Sequence, residues 1–239
     1  MRYDPVRLPV LSAAALLSAI ANSPALSQTT PPAVPSAQAH KEWELSRTAV
    51  DLAKRDGAID DARILPYLQQ LTDRLTNSAG IDSTQVRLTR SPSQYAALLP
   101  NRVLYISAGM LGRIEDEGEL SGLIAHEFAH LALHGVCVLD PLRAPSPPQD
   151  LRDGERQATT LAVSTLKTAG YDPTSLLSLL SKLSYEHPVW SKAIASEDLL
   201  DLRARLETDF VPPAGYRLDS SAFVQAHNAL VSMRPKVVE

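Results

Sequence analysis

The stretch "LIAHEFAHLALHG", residues 123 to 135, holds a His-Glu-x-x-His arrangement: His126, Glu127 and His130. Two histidines four apart project from one face of a helix, which lets two imidazole nitrogens reach one Zn²⁺ at ~2.0–2.1 Å. Glu127, about a hundred degrees round the helix, reaches a water beside the metal instead of the metal itself. The chemistry of such a set is hydrolysis. The bland alternative is that these residues merely fell into this spacing on a buried helix. Leu123, Ile124, Phe128, Leu131 and Leu133 argue against it, because polar groups left without partners on so apolar a helix cost about 1–3 kcal/mol each, and a carboxylate costs more.

A zinc site needs a third protein ligand. His134 continues the stripe, but imidazoles at i, i+4 and i+8 span about 12 Å and do not converge on one ion. His134 reads instead as a helix-end residue favoured by the dipole. The better source is "DLRDGERQATTLAVSTLKTAGYDP", 150 to 173, where Leu151, Ala158, Ala162, Leu166 and Ala169 form an apolar stripe. Asp150 is expected to cap this helix, with Gly170 and Pro173 ending it. Glu155 sits on the stripe, and a core-facing carboxylate needs a partner such as zinc held by two neutral histidines. The alternative for Glu155 is a residue near a helix start stabilised by the dipole.

The elements that must position these residues follow from periodicity. The zinc helix is expected from Asp116 to His134, with Glu115, Asp116, Glu117 and Glu119 crowding its start and Gly135 after its end. Helices are also expected over 43–54 and 62–78, the second burying Leu68, Leu71 and Leu75, with Gly57 and Gly80 as stops. "TQVRLTR" (84–90) and "RVLYIS" (102–107) read as strands, with a turn at Pro100-Asn101 before the second. The remainder up to Pro212 is helical in character. The expected class is α+β: a mostly helical domain with a small sheet beside the zinc helix.

The chain of 239 residues suits one domain with appendages. Its formal charge of −4 and pI near 5.9 provide no basic field for a phosphate backbone, so nucleic acid is not an expected partner. Arg2 and Arg7 precede an apolar run from Leu8 to Ile20, and Ala25-Leu26-Ser27 offers small residues for cleavage. Residues 1–27 are therefore expected to be a signal peptide, 28–39 a Pro/Ala-rich linker and 40–239 the metallopeptidase domain. Export to the periplasm or medium follows, with an uncleaved N-terminal anchor as the alternative. Cys137, the single cysteine, leaves an exported monomer without an internal disulfide.

These residues resemble the gluzincin metallopeptidases of the HtpX and CAAX prenyl protease (Ste-type) kind, as a minimal periplasmic member. "YAALLPNRVLYISAGML", "ELSGLIAHEFAHL", "ERQATTLAVSTLKTAGYDP" and "HPVW" carry the resemblance in order. It implies His126, His130 and Glu155 as ligands of one zinc ion and Glu127 as general base. It also implies that the strand Val103, Leu104, Tyr105, Ile106 and Ser107 is the edge on which a peptide lies extended, a mode that uses main-chain hydrogen bonds. His187 is implied as a stabiliser of the transition state or a plug over the zinc. Two departures stand out. Thr159 replaces an Asp of the family pattern that orients a ligand histidine, and Ala193 stands where an Arg is common.

The reading is a zinc-dependent endopeptidase acting on exported or misfolded envelope polypeptides, with association with the membrane or with envelope proteins left open. The alternative is a zinc-binding pseudo-peptidase that keeps the fold as a binding module. Retained Glu127 favours the first and Thr159 the second.

Overall fold

The computed structural model describes residue 51 and residues 54–99, 101–134, 148–186, 194–209 and 219–233, all within the unit Ala37–Glu239. In chain order the elements are β1 (Ala58–Ile59), α1 (Leu65–Ala79), β2 (Gln85–Thr89), β3 (Ala96–Leu98), β4 (Val103–Ser107), α2 (Ala108–Leu111), α3 (Glu117–His134), α4 (Pro148–Ala169), α5 (Pro173–Glu186), α6 (Ser196–Asp209) and α7 (Ser221–Ser232). The class is α+β, mostly helical with a small mixed sheet.

Helix α1 forms because Leu68, Leu71 and Leu75 recur on one face, all buried, and it stops where Gly80 takes a φ of 67°, a left-handed conformation that side chains resist. In β2, Val86 and Leu88 turn inward while Gln85 and Arg87 face out, the alternation of a strand with one face on the core. The sheet order is β1-β2-β4-β3, with β2 and β4 parallel and the two outer pairs antiparallel. Its β3–β4 hairpin closes through the amide of Arg102, which donates to the Leu99 carbonyl at 2.8 Å.

Two expectations change here. Val103–Ser107 is an interior strand, hydrogen-bonded to β2 on one side and β3 on the other, so it offers no free edge. The edge is β3, whose Ala-Ala-Leu sequence has little strand preference of its own and is held by pairing and burial. Asp150 does not cap α4, because the helix begins two residues earlier at Pro148, a residue whose fixed φ suits the first turn.

Helix α3 is buried on all sides from Glu117 to His130. It lies against α4, α5, α1 and β3, which accounts for a sequence apolar all round rather than on one stripe. Gly122 permits the contact with α5: a Cβ there would stand 2.8 Å from Cβ of Leu176. Asp116 precedes the helix as its cap, taking the amide of Glu119 at 2.7 Å. Leu133, expected in the core, is exposed near the helix end.

The C-terminal helix α7 was not evident from periodicity. It is tied to the start of α3, because Glu117 donates its amide to Asp219 at 3.1 Å and its carboxylate accepts from Ser220 N at 2.9 Å and the Tyr171 hydroxyl at 3.1 Å. The expected signal peptide (1–27) and linker (28–39), with Cys137 and His187, lie outside the described residues.

Candidate metal centre

His126 and His130 stand one turn apart on α3, and Glu155 faces them from α4. His126 Nε2 is 3.0 Å from Glu155 Oε2, His130 Nε2 is 3.0 Å from His126 Nε2, and His130 Nε2 is 3.4 Å from the same carboxylate oxygen. All three residues are buried, at 4%, 6% and 6% exposure. Among the described residues they form the one group of three or more potential metal-binding side chains whose ligand atoms lie within 4.8 Å of one another. Two imidazole nitrogens and a carboxylate converging on one buried point is a donor set suited to zinc.

The electrostatics agree. Burial pushes the Glu155 carboxyl up, but hydrogen bonds from His126 and His130, with their charges, hold it well below the usual carboxylate range. For His130 burial opposes the charged form, yet the hydrogen bond to Glu155 and the charges of Glu155 and Glu127 raise its proton affinity above the ordinary value. The Glu155 and Glu127 carboxylates thus favour positive charge at the cluster. The donor types and their convergence fit a divalent zinc ion.

One part of the surroundings is incomplete. With its Nε2 turned into the cluster, His126 leaves Nδ1 buried and without a hydrogen-bond partner among the described residues. Ligand histidines ordinarily donate from the second nitrogen to an acceptor that fixes ring and tautomer. Thr159, buried one turn after Glu155, instead spends its hydroxyl proton on the Glu155 carbonyl of its own helix, at 2.8 Å. Thr159→Asp is expected to tighten zinc binding or raise turnover by up to about tenfold. Zinc competition titrations on the two proteins test this, and unchanged or weaker affinity in the variant contradicts it.

Glu127 is buried beside the cluster, with Oε2 accepting the main-chain amide of Leu98 at 3.3 Å. The edge strand next to the centre is therefore β3. Of the expected edge residues, Leu104, Ile106 and Ser107 are buried and Val103 and Tyr105 half-buried, all one strand further from the edge. The sequence does contain a signal for β3. An apolar "AALL" and a strand separated by Pro-Asn read together as a hairpin, which places its first arm outside its second.

Fold and site together define the class: an α+β zincin-like domain with a His-Glu-x-x-His helix and a carboxylate from the following helix. More particularly, residues 64–139 match the model of peptidase family M48, which supports a metallopeptidase of that zinc-dependent family. The match takes in α1, β2 to β4 and all of α3, while Glu155 lies beyond it and is placed at the site by the structure. No curated relative matches the chain.

Proposed function

We propose that the protein is a zinc-dependent endopeptidase that hydrolyses exported or misfolded polypeptides. The observation that carries this is the convergence of His126 Nε2, His130 Nε2 and Glu155 Oε2, with Glu127 beside His126 on the same helix and bonded to the edge strand β3. His126, His130 and Glu155 would hold the ion. When bound, zinc supplies Lewis acidity that acidifies water toward a pKa of about 7 and polarises the scissile carbonyl. Glu127 accepts the proton of the attacking water at its carboxylate and returns it to the leaving nitrogen. Water attacks directly, so no covalent enzyme intermediate forms.

The substrate in this reading is an extended peptide laid along β3 and paired through main-chain groups other than the Leu98 amide, which Glu127 already takes, so that many sequences are tolerated. Cleavage of unfolded casein that stops on chelation and returns with zinc is the expected result; cleavage indifferent to chelation counts against the proposal. A second reading, a zinc-binding pseudo-peptidase, draws on the unpartnered Nδ1 of His126, and it predicts bound zinc without cleavage.

Export is part of the proposal and rests on Arg2, Arg7, the apolar run and Ala25-Leu26-Ser27. Among the described residues no helix is long and apolar enough to cross a membrane. N-terminal sequencing of protein from an envelope fraction should begin near Gln28, and an intact Met1 in the membrane pellet would overturn the cleaved-signal assignment.

A further inference from the structure

The outer strand of the sheet, β3, and the carboxylate of Glu127 meet through one hydrogen bond. Strand β3 pairs with β4 in the register Ala96↔Ile106, Ala97↔Tyr105 and Leu98↔Leu104. Leu99 N donates to Val103 O at 3.1 Å and Ser107 N to Tyr95 O at 3.0 Å, so residues 95, 97 and 99 turn their main-chain groups toward β4. In an antiparallel ladder the alternate residues, Ala96 and Leu98, then turn theirs to the outer edge. The Leu98 amide is free of the ladder and donates to Glu127 Oε2 at 3.3 Å. Both partners are buried, Leu98 completely, so water does not compete strongly for this donor.

A glutamate carries three side-chain torsions, and its helix fixes only where the side chain starts. A base that must take a proton on one side and deliver it on another needs its carboxylate plane set beforehand. We infer that the main-chain N–H of Leu98 is the positioning group for Glu127: it anchors Oε2 from the edge strand and so sets the orientation in which the carboxylate meets water. This rests on the peptidase reading of Glu127. It also explains why so short and weakly β-forming a strand ends against α3: the hairpin aims one donor at the helix.

The test compares Leu98→Pro with Leu98→Ala in the full chain. Both lose the buried leucine side chain, but only proline loses the amide proton, and no ladder hydrogen bond goes with it because this amide points away from β4. Zinc per chain is expected to be equal in the two. The kcat of Leu98→Pro is expected to fall about 10–100-fold below that of Leu98→Ala with KM little changed, as for a mispositioned catalytic group. Equal kcat in the two variants, in a background where the parent cleaves, overturns this role alone, whereas a parent that cleaves no unfolded polypeptide sinks the peptidase reading and this role with it. Should Leu98→Pro fail to fold, the backbone amide resonance of Leu98 decides. It should shift and exchange faster in Glu127→Ala, stay near its parent position in Glu127→Gln, and leave Ala97 unmoved. An unchanged Leu98 resonance in Glu127→Ala overturns the inference.

Discussion

Replacing Glu127 by Gln is expected to leave a folded, zinc-containing protein that hydrolyses unfolded polypeptide about 10²–10⁴-fold more slowly. The amide has nearly the size of the carboxylate, so the packing of α3 around a buried residue is kept. Its carbonyl oxygen still accepts the Leu98 amide, so the edge strand keeps its contact. The change removes the capacity to take a proton, because a neutral amide is not a base at neutral pH, together with the negative charge beside His130. Glu127 is not one of the three converging ligand residues, so zinc per chain should equal that of the parent. Elemental analysis, a melting curve and a cleavage assay on the one variant separate these effects. Cleavage near the parental rate would contradict the hydrolytic mechanism whatever the metal content.

Glu155→Gln is expected to do the reverse, with zinc lost first and activity lost as a consequence. Glu155 contributes the negative charge of the cluster, and its Oε2 lies against both histidines. Loss of a ligand should cost more than the ~10–100-fold in affinity that loss of a ligand's hydrogen-bond partner costs. Binding to the folded state alone adds about 2.7 kcal/mol of stability at a hundredfold excess of zinc over Kd. For a chain of this size that corresponds to about 5–10 °C in melting temperature, which the variant should forfeit in the presence of zinc. A Glu155→Gln protein that keeps full zinc and the parental melting temperature would remove Glu155 from the site.

The same cluster makes the chelated protein's stability depend on pH in a defined sense. Glu155 has its proton affinity lowered on folding, so its contribution is present above its ordinary value of 4.5 and is lost as pH falls through the folded value. His130 has its affinity raised, so its contribution is complete below 6.5 and is lost as pH rises through the folded value. Both operate together between these limits. Zinc requires neutral imidazoles and should bind more tightly toward neutral and higher pH, so loading moves the stability optimum upward.

Much of this was legible in the residues. Four-residue spacing places His126 and His130 together on any helix, and Glu155 gives itself away as a charge on an apolar stripe, which folding brings to a partner. The strands over 85–89 and 103–107 follow from alternation and β-branched residues. Strand order was not legible, because it depends on pairing between segments distant in sequence: the composition of Val103–Ser107 marks a strand but does not say that it is paired on both sides. Ala96–Leu98 has almost none, and becomes a strand only through its partner and the helix behind it. Helix α7 was hidden because its anchor, the exchange of hydrogen bonds between Glu117 and the Asp219-Ser220 pair, spans a hundred residues of chain. The start of α4 was misjudged because Asp150 looks like a cap, whereas proline at 148 already has the backbone angle of a first turn.

The most direct measurement is anomalous diffraction at the zinc edge from crystals of the zinc-loaded protein. The account predicts one peak per chain, lying among His126 Nε2, His130 Nε2 and the Glu155 carboxylate, with Glu127 outside its ligand sphere. A zinc-loaded crystal with no peak at that point, or with its zinc bound elsewhere, would contradict it.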